Sequence, residues 1–181
     1  MTSRKRSKPI RAWHFVGKTL RDGSPIPADG EWLIFEGPLK MCESGLHASR
    51  HPFDALRYAP GDTLCLVECD GHVIEHDDKL VCSQRRIIAH MDATDMLRYF
   101  ARMQALSVVH LWDAPDVVLD YLMTGDESLR AAAWAAAWDA AWYAAGAAAG
   151  DAAWDAAGAA ARAAARQDFA DLVNECFEQF L

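Results

Sequence analysis

No stretch of this sequence strings together the roughly 20 uncharged apolar residues that a membrane-spanning helix requires. The alanine-rich run from Arg130 to Arg166 comes nearest, and aspartates and arginines interrupt it. No apolar segment follows the charges of Met1-Thr-Ser-Arg-Lys-Arg-Ser-Lys8 either, so residues 1–10 read as a disordered basic tail and not as a secretory signal. The five cysteines, Cys42, Cys65, Cys69, Cys82 and Cys176, are odd in number and never spaced CxxC. That suits reduced thiols in a cytoplasm better than a disulfide framework. Cys42 with His47, or Cys65 with Cys69, invites a zinc reading. Cys65 and Cys69, four apart on a strand, face the same way but lie too far apart to share an ion. Also missing are the GxSxG elbow of a Ser/His/Asp hydrolase, a Walker loop and the Rossmann glycine pattern. The residues therefore call for no metal and no cofactor.

Basic charge is scarce where it would serve a nucleic-acid binder. The net charge is −8 over 181 residues, and its distribution is uneven. Residues 1–11 carry only positive charge, residues 12–91 are mildly acidic, and residues 92–181 hold most of the excess acid. Phosphate contacts need basic groups, so an acidic surface disfavours general nucleic-acid binding.

What is present divides the chain in two. Residues 11–91 read as a small α+β domain of mixed or antiparallel sheet. Arg11–Val16 and Glu31–Phe35 are aromatic and β-branched runs, separated by the turn-rich loop Asp22–Gly30. Lys40–Ser49 contains a Ser-Gly turn and a short extended piece. Pro52–Ala59 has helical spacing, with Phe53, Leu56 and Ala59 on one face, and Pro60-Gly61 ends it. Thr63–Cys69 is the best strand, followed by an Asp70-Gly71 turn and Val73-Ile74; a last strand covers Lys79–Ala89. Short strands with one short helix imply α+β, not a doubly wound sheet.

From Asp92 the apolar period lengthens from two to about 3.6, and residues 92–181 read as a helical, Ala/Trp-rich oligomerisation region. Asp92-Ala-Thr-Asp95 can cap a helix to about Val109 with Met96, Leu97, Phe100, Met103 and Leu106 on its apolar face. Asp113 is expected to cap a second helix, with Pro115 in its first turn and Thr124-Gly125 at its end. Between Arg130 and Arg166 every fourth residue is large, charged or glycine, with mainly alanine between: Arg130, Trp134, Trp138, Trp142, Gly146, Gly150, Trp154, Gly158, Arg162, Arg166. A four-residue period on a 3.6-residue helix drifts by about 40° per repeat, so the tryptophans wind around the helix. Either one long helix is covered on several sides, or the chain breaks near Gly146–Gly150 and Asp151 caps a second helix; the glycines favour the break. Four exposed tryptophans would be an aggregation hazard, so burial is expected, in a homo-oligomer or against this chain's own helices. Phe169, Leu172, Val173, Cys176, Phe177 and Phe180 have amphipathic spacing and offer a further interface.

The first domain concentrates the polar candidates. His47, in Gly45-Leu-His-Ala-Ser49, suits either a pocket or a hydrogen-bonded structural role, and His14 lies on the first strand. Arg50, Arg85 and Arg86 can grip an anion, because guanidinium forks match phosphate oxygens; solvated arginines look the same in sequence. Trp13 and Tyr58 are available for stacking, and Asp77-Asp78-Lys79 is either a site or a charged turn. Together, Trp13, His14, His47, Arg50, Tyr58, Lys79, Arg85 and Arg86 form the candidate set for a nucleotide-type ligand.

Ala12-Trp-His-Phe15, Gly17-Lys-Thr-Leu20, Met41–Ser49, Pro52–Tyr58 and Asp77-Asp-Lys79 resemble an uncharacterised family common in phages and prophages, over roughly residues 10–92. In that family the domain often precedes repetitive, sometimes alanine-rich, sequence. The resemblance implies a viral protein at work in the cytoplasm of a bacterial host. The early aromatic/His strand and the later Gly-x-His-x-Ser piece are also similar to the ADP-ribosyltransferase-like fold, which implies that His14, His47 and Ser49 face a dinucleotide. The sequence departs from that pattern in lacking a clear late catalytic glutamate, for which Glu68 and Glu75 compete. The expectation is a phage accessory protein, of counter-defence type, that sequesters a host nucleotide signal or defence component without chemistry. The alternatives are a nucleotide-cleaving or ADP-ribosyl-transferring enzyme, and a protein-binding module acting through the repeat.

Overall fold

The computed structural model describes residues 8–144 and 151–181, which form two units: residues up to Thr94 with Asp168–Leu181, and Asp95–Gln167. The first unit is built on a five-stranded antiparallel sheet, and the fold is α+β. Strands β1 (Ile10–Val16), β4 (Thr63–Glu75), β5 (Leu80–Asp92) and β2 (Trp32–Ile34) pair in that order, while β3 (Leu46–Ala48) pairs with the start of β5. Trp13 and Ser49 exchange two backbone hydrogen bonds, 2.7 and 2.9 Å, which tie the end of β3 to β1. Strands β1, β4, β5 and β3 thereby close into a ring.

The β4–β5 hairpin dominates this unit. Asp70-Gly71 makes no turn, contrary to the sequence reading: β4 runs through it for 13 residues, and the irregularity between Asp70 and Val73 is a bulge. Gly71 has φ +77°, and a Cβ there would meet the Ser83 hydroxyl at 2.2 Å, so a side chain is excluded twice over. The chain reverses at Asp77-Asp78, where the His76 N–H donates to the Lys79 carbonyl at 2.8 Å.

Directly paired residues share a face of an antiparallel sheet. Opposite Ala12 stands Val67, opposite His14 stands Cys65, and opposite Arg85 stands Cys69. One face thus collects Ala12, Val16, Val67, Ile87, Ala48 and three buried thiols, Cys65, Cys69 and Cys82, into the ring's core. His14 and Arg85 share that face.

The other face carries Trp13, which meets Phe177 edge-on with ring centroids 5.1 Å apart. Phe169 packs edge-on against Phe53 at 5.9 Å, and Phe169, Val173 and Phe177 are fully buried. The C-terminal segment is therefore core of the sheet unit, not a free interface as its amphipathic spacing suggested. Residues 168–181, helical as expected through Cys176, belong to the sheet unit. Arg11 fastens the end by donating to the carbonyls of Phe180 and Leu181, at 2.9 and 2.7 Å. Helix α1 (Pro52–Leu56) is shorter than its spacing promised and buries Asp54 and Ala55; the His51 ring caps it by accepting the Phe53 N–H.

The second unit holds α2 (Thr94–Val108), α3 (Asp116–Thr124), α4 (Arg130–Ala144) and the first part of α5 (Asp151–Cys176). Val118, Leu122 and Ala133 form its small core. The α3 cap is Pro115, with no side-chain hydrogen bond, so Asp113 does not cap as expected. Trp134 and Trp138 are 69% and 60% exposed among the described residues and stacked on one another at 5.5 Å. The expected break at Gly146–Gly150 lies outside the described residues. Among the described residues no helix is long and apolar enough to cross a membrane.

Candidate functional site

The ring opens into a cleft of roughly 1160 Å³, walled by β1, by the loop that follows it, by the turn before β3, and by Tyr58, Lys79 and Arg85. Its floor follows from the register: His14 and Arg85 are aimed by their strands toward the core face, near the end where β3 closes on β1.

Arg85 is the central group. It is 5% exposed and donates through Nη1 to the His47 carbonyl. Among the described residues no carboxylate pairs with it, and its electrostatic neighbours are the thiols Cys69, Cys82 and Cys65. Those thiols offer little counter-charge. Burial pushes Cys65 up to about 12, and Cys69 rises because it donates a hydrogen bond to Cys82, whose own value falls. A guanidinium cannot shed its proton, and an unpaired buried charge costs several kcal/mol. No buried side-chain nitrogen or oxygen among the described residues lacks a partner, so the remaining Arg85 N–H groups reach the cleft. Burial, Arg85 and then His47 hold the half-buried His14 imidazole well below its ordinary 6.5, so it is neutral at pH 7. No hydrogen bond to His14 is made within the described chain, and by the same reasoning its ring nitrogens also face the cleft.

His47 plays a different part. Its Nε2 accepts the Cys42 N–H at 3.0 Å and its Nδ1 donates to the Gly45 carbonyl at 3.1 Å. Both ring nitrogens are occupied, which fixes a neutral tautomer; burial lowers its pKa as well. The turn it pins is strained, with Cys42 at φ +66° and Gly45 at φ +108°. A Cβ on Gly45 would lie 2.5 Å from Val81. His47 is thus the hydrogen-bonded structural histidine, and its carbonyl positions Arg85.

At the rim, the Tyr58 hydroxyl donates to Asp78 at 2.5 Å and accepts from Lys79 Nζ at 3.0 Å, while that ammonium also sits 4.4 Å from the Tyr58 ring centroid. The Tyr58 hydrogen bond, then Cys42, raises the Lys79 pKa, so its charge is permanent at pH 7. Two further cations, Lys18 and Arg21, come from the exposed loop after β1. The lining acids are engaged locally: Asp22 accepts the Ser24 N–H and hydroxyl, and Glu43 pairs with Lys40 at 3.4 Å.

Of the eight candidates, Trp13, His14, His47, Tyr58, Lys79 and Arg85 border the cleft. Trp13 is 5% exposed and its ring is packed on Phe177, so it offers no stacking surface. Arg50 and Arg86 do not line the cleft. Arg50 forks onto Glu75, and Arg86 grips Glu68 at 2.9 and 2.6 Å while covering Trp32. Those ion pairs also occupy both glutamates considered for catalysis. Ser49 lines the cleft, buried and bridged to Trp13. Sequence reasoning passed over Lys18 and Arg21; the signal was Gly17-Lys-Thr-Leu-Arg21, basic residues directly after a strand whose alternation ends at Val16. Among the described residues no group of three His, Cys, Asp or Glu is placed to hold a metal. No curated protein and no solved structure matches the chain. Residues 10–99 match a domain of unknown function, DUF7666, and that match contains every residue lining the cleft.

Proposed function

We propose that the sheet unit binds a small anionic ligand of nucleotide type and holds it unchanged. The observation that carries this reading is Arg85, a buried guanidinium with no carboxylate partner among the described residues, turned toward a cleft that three more cations border. A binder without chemistry is favoured over a transferase because Glu68 and Glu75 are tied to Arg86 and Arg50 and do not line the cleft. The resemblance to phage and prophage proteins adds the setting: an accessory protein in a bacterial cytoplasm that sequesters a host nucleotide signal. Self-association through the helical unit belongs to the same reading. A stacked pair of exposed tryptophans is the kind of apolar patch that a second copy covers.

Native mass spectrometry of gently purified protein tests both parts. The expected result is an oligomer carrying a discrete extra mass that denaturation releases as an unmodified nucleotide. Release of a chemically altered product would reject the binding-only reading, and a bare monomer would reject both parts.

A further inference from the structure

The floor of the cleft does more than favour negative charge. We propose that Arg85 and His14 form a subsite for a terminal phosphate monoester, and that filling it takes up a proton on His14. This rests on the nucleotide-binding reading above and narrows it to ligands that end in a phosphate.

Three observations lead there. First, Arg85 is 5% exposed, on a strand inside a closed ring, with its carbonyl partner on β3. A group reaching it must be the end of a ligand; a phosphodiester, with substituents on two sides, has nowhere to continue. Second, the guanidinium presents donors in a fixed fork that matches two oxygens, and His14 supplies a separate nitrogen beside it. A monoester dianion has three terminal oxygens and about two negative charges. A carboxylate has two oxygens, which the fork alone would saturate. Third, the groups facing His14 are Cys65 across the β1–β4 pairing, Arg85 on β5 and His47 on β3, with Lys18 and Arg21 from the loop. Of the acids that line the same cleft, Asp22 is engaged by Ser24 and Glu43 by Lys40, so the unliganded site keeps His14 neutral, as its lowered pKa reflects. A dianion between His14 and Arg85 reverses the local potential. The imidazole then becomes the donor to the third oxygen, and one proton is drawn from solution.

The sign follows from linkage. Between the low pKa of free His14 and its higher value beside the anion, binding consumes a proton, so affinity rises as pH falls through that window. The rise ends where the phosphate itself becomes singly charged, near pH 6.

Isothermal titration calorimetry of the full chain at pH 7, in two buffers of different ionisation enthalpy, reads affinity and proton uptake together. The probes are inorganic phosphate, AMP, cyclic 3′,5′-AMP, adenosine and acetate. The expected result is binding of phosphate and AMP, with AMP at least about tenfold tighter than cyclic AMP or adenosine, acetate silent, and net proton uptake with AMP. Arg85→Lys should weaken AMP at least about tenfold by losing the fork. His14→Gln should abolish the uptake; it removes no protein hydrogen bond, so it also carries the test if the Arg85 variant fails to fold. Equal binding of AMP and cyclic AMP, binding of acetate as tight as phosphate, or uptake that persists in His14→Gln would overturn the subsite while leaving a nucleotide cleft standing. Phosphate binding with AMP no tighter than phosphate would keep the subsite and remove the nucleotide. Silence of every probe would reject both.

Discussion

Trp13 and Trp134 are the same side chain in two regions of one chain. Trp13, on β1 and on the sheet face away from the ring's core, is 5% exposed and edge-packed on Phe177. Trp134, on α4, is 69% exposed and stacked on Trp138. The strand gives Trp13 a fixed side of the sheet, and the C-terminal segment supplies large aromatic partners there. The helix gives Trp134 alanine neighbours, which bury little area, and a four-residue repeat that no single face of the helix can collect. The sheet unit buries Trp13 and its aromatic partner Phe177 and is incomplete in its charge, at Arg85. The helical unit is incomplete in its apolar packing. Under the proposed function, a small anion would meet the first deficiency and a second copy's apolar surface the other.

The largest way to sharpen that contrast is truncation on each side. Phe177→Ala removes a fully buried ring and should destabilise the sheet unit by about 3–5 kcal/mol. Peptide-resolved hydrogen exchange would show this as amides of β1 and β4 exchanging about two to four orders of magnitude faster. Trp134→Ala should change protection of α4 by no more than about 0.5 kcal/mol in dilute protein, as for other exposed positions. Comparable losses at both sites would erase the distinction between packed and unpacked aromatics.

A smaller effect separates the units by pH. Burial, Arg85 and His47 hold the folded His14 below its ordinary 6.5. Above about pH 6.5 the imidazole is neutral whether the chain is folded or not, and its contribution to the pH dependence is flat. As pH falls below that value the unfolded chain takes up the proton first, so the sheet unit loses stability until the folded histidine also titrates. His47 is depressed in the same direction, by burial first. In His14→Gln the decline of sheet-unit protection between about pH 6.5 and 5 should be shallower. An unaltered slope would assign the decline to His47 and the acids.

The fold class and most strand positions were legible because alternation and turn residues are local signals. Thr63–Cys69 lies within β4, and Lys79–Ala89 matches β5 from Leu80 onward. The Asp70-Gly71 bulge was not legible, because a glycine at positive φ serves a turn and a bulge equally and only the pairing partner decides. Six of eight candidate residues border one cleft because residue type and position near turns carried them there. Sequence could not separate Arg85 from Arg86. The two are adjacent, so they point to opposite faces, and which face holds Glu68 is fixed by a register set some 18 residues away. The burial of Phe169 and Phe177 was hidden for a similar reason: amphipathic spacing shows that a face is covered and not by what.

The smallest expected effect lies where the two units stop differing, at their exposed ion pairs. Arg50, between β3 and α1, and Glu75, at the end of β4, form a two-point contact in the sheet unit, with side chains 55% and 41% exposed. Arg130 and Glu127 form a 3.3 Å pair in the helical unit, 58% and 45% exposed. Despite the forked geometry of the first, both are open to solvent, where the gain of pairing is largely offset by the entropy of fixing two long side chains. Arg50→Ala and Arg130→Ala should each lower local protection by about 0.2–1 kcal/mol at low salt, and by less at 1 M salt, where the screening length falls to about 3 Å. Arg50→Ala should leave AMP binding unchanged, because its charge is neutralised by Glu75 outside the cleft. Loss of AMP affinity in Arg50→Ala with the fold intact would mean that the Arg50–Glu75 pair opens to reach the ligand, and the boundary drawn between paired and unpaired arginines would have to include it.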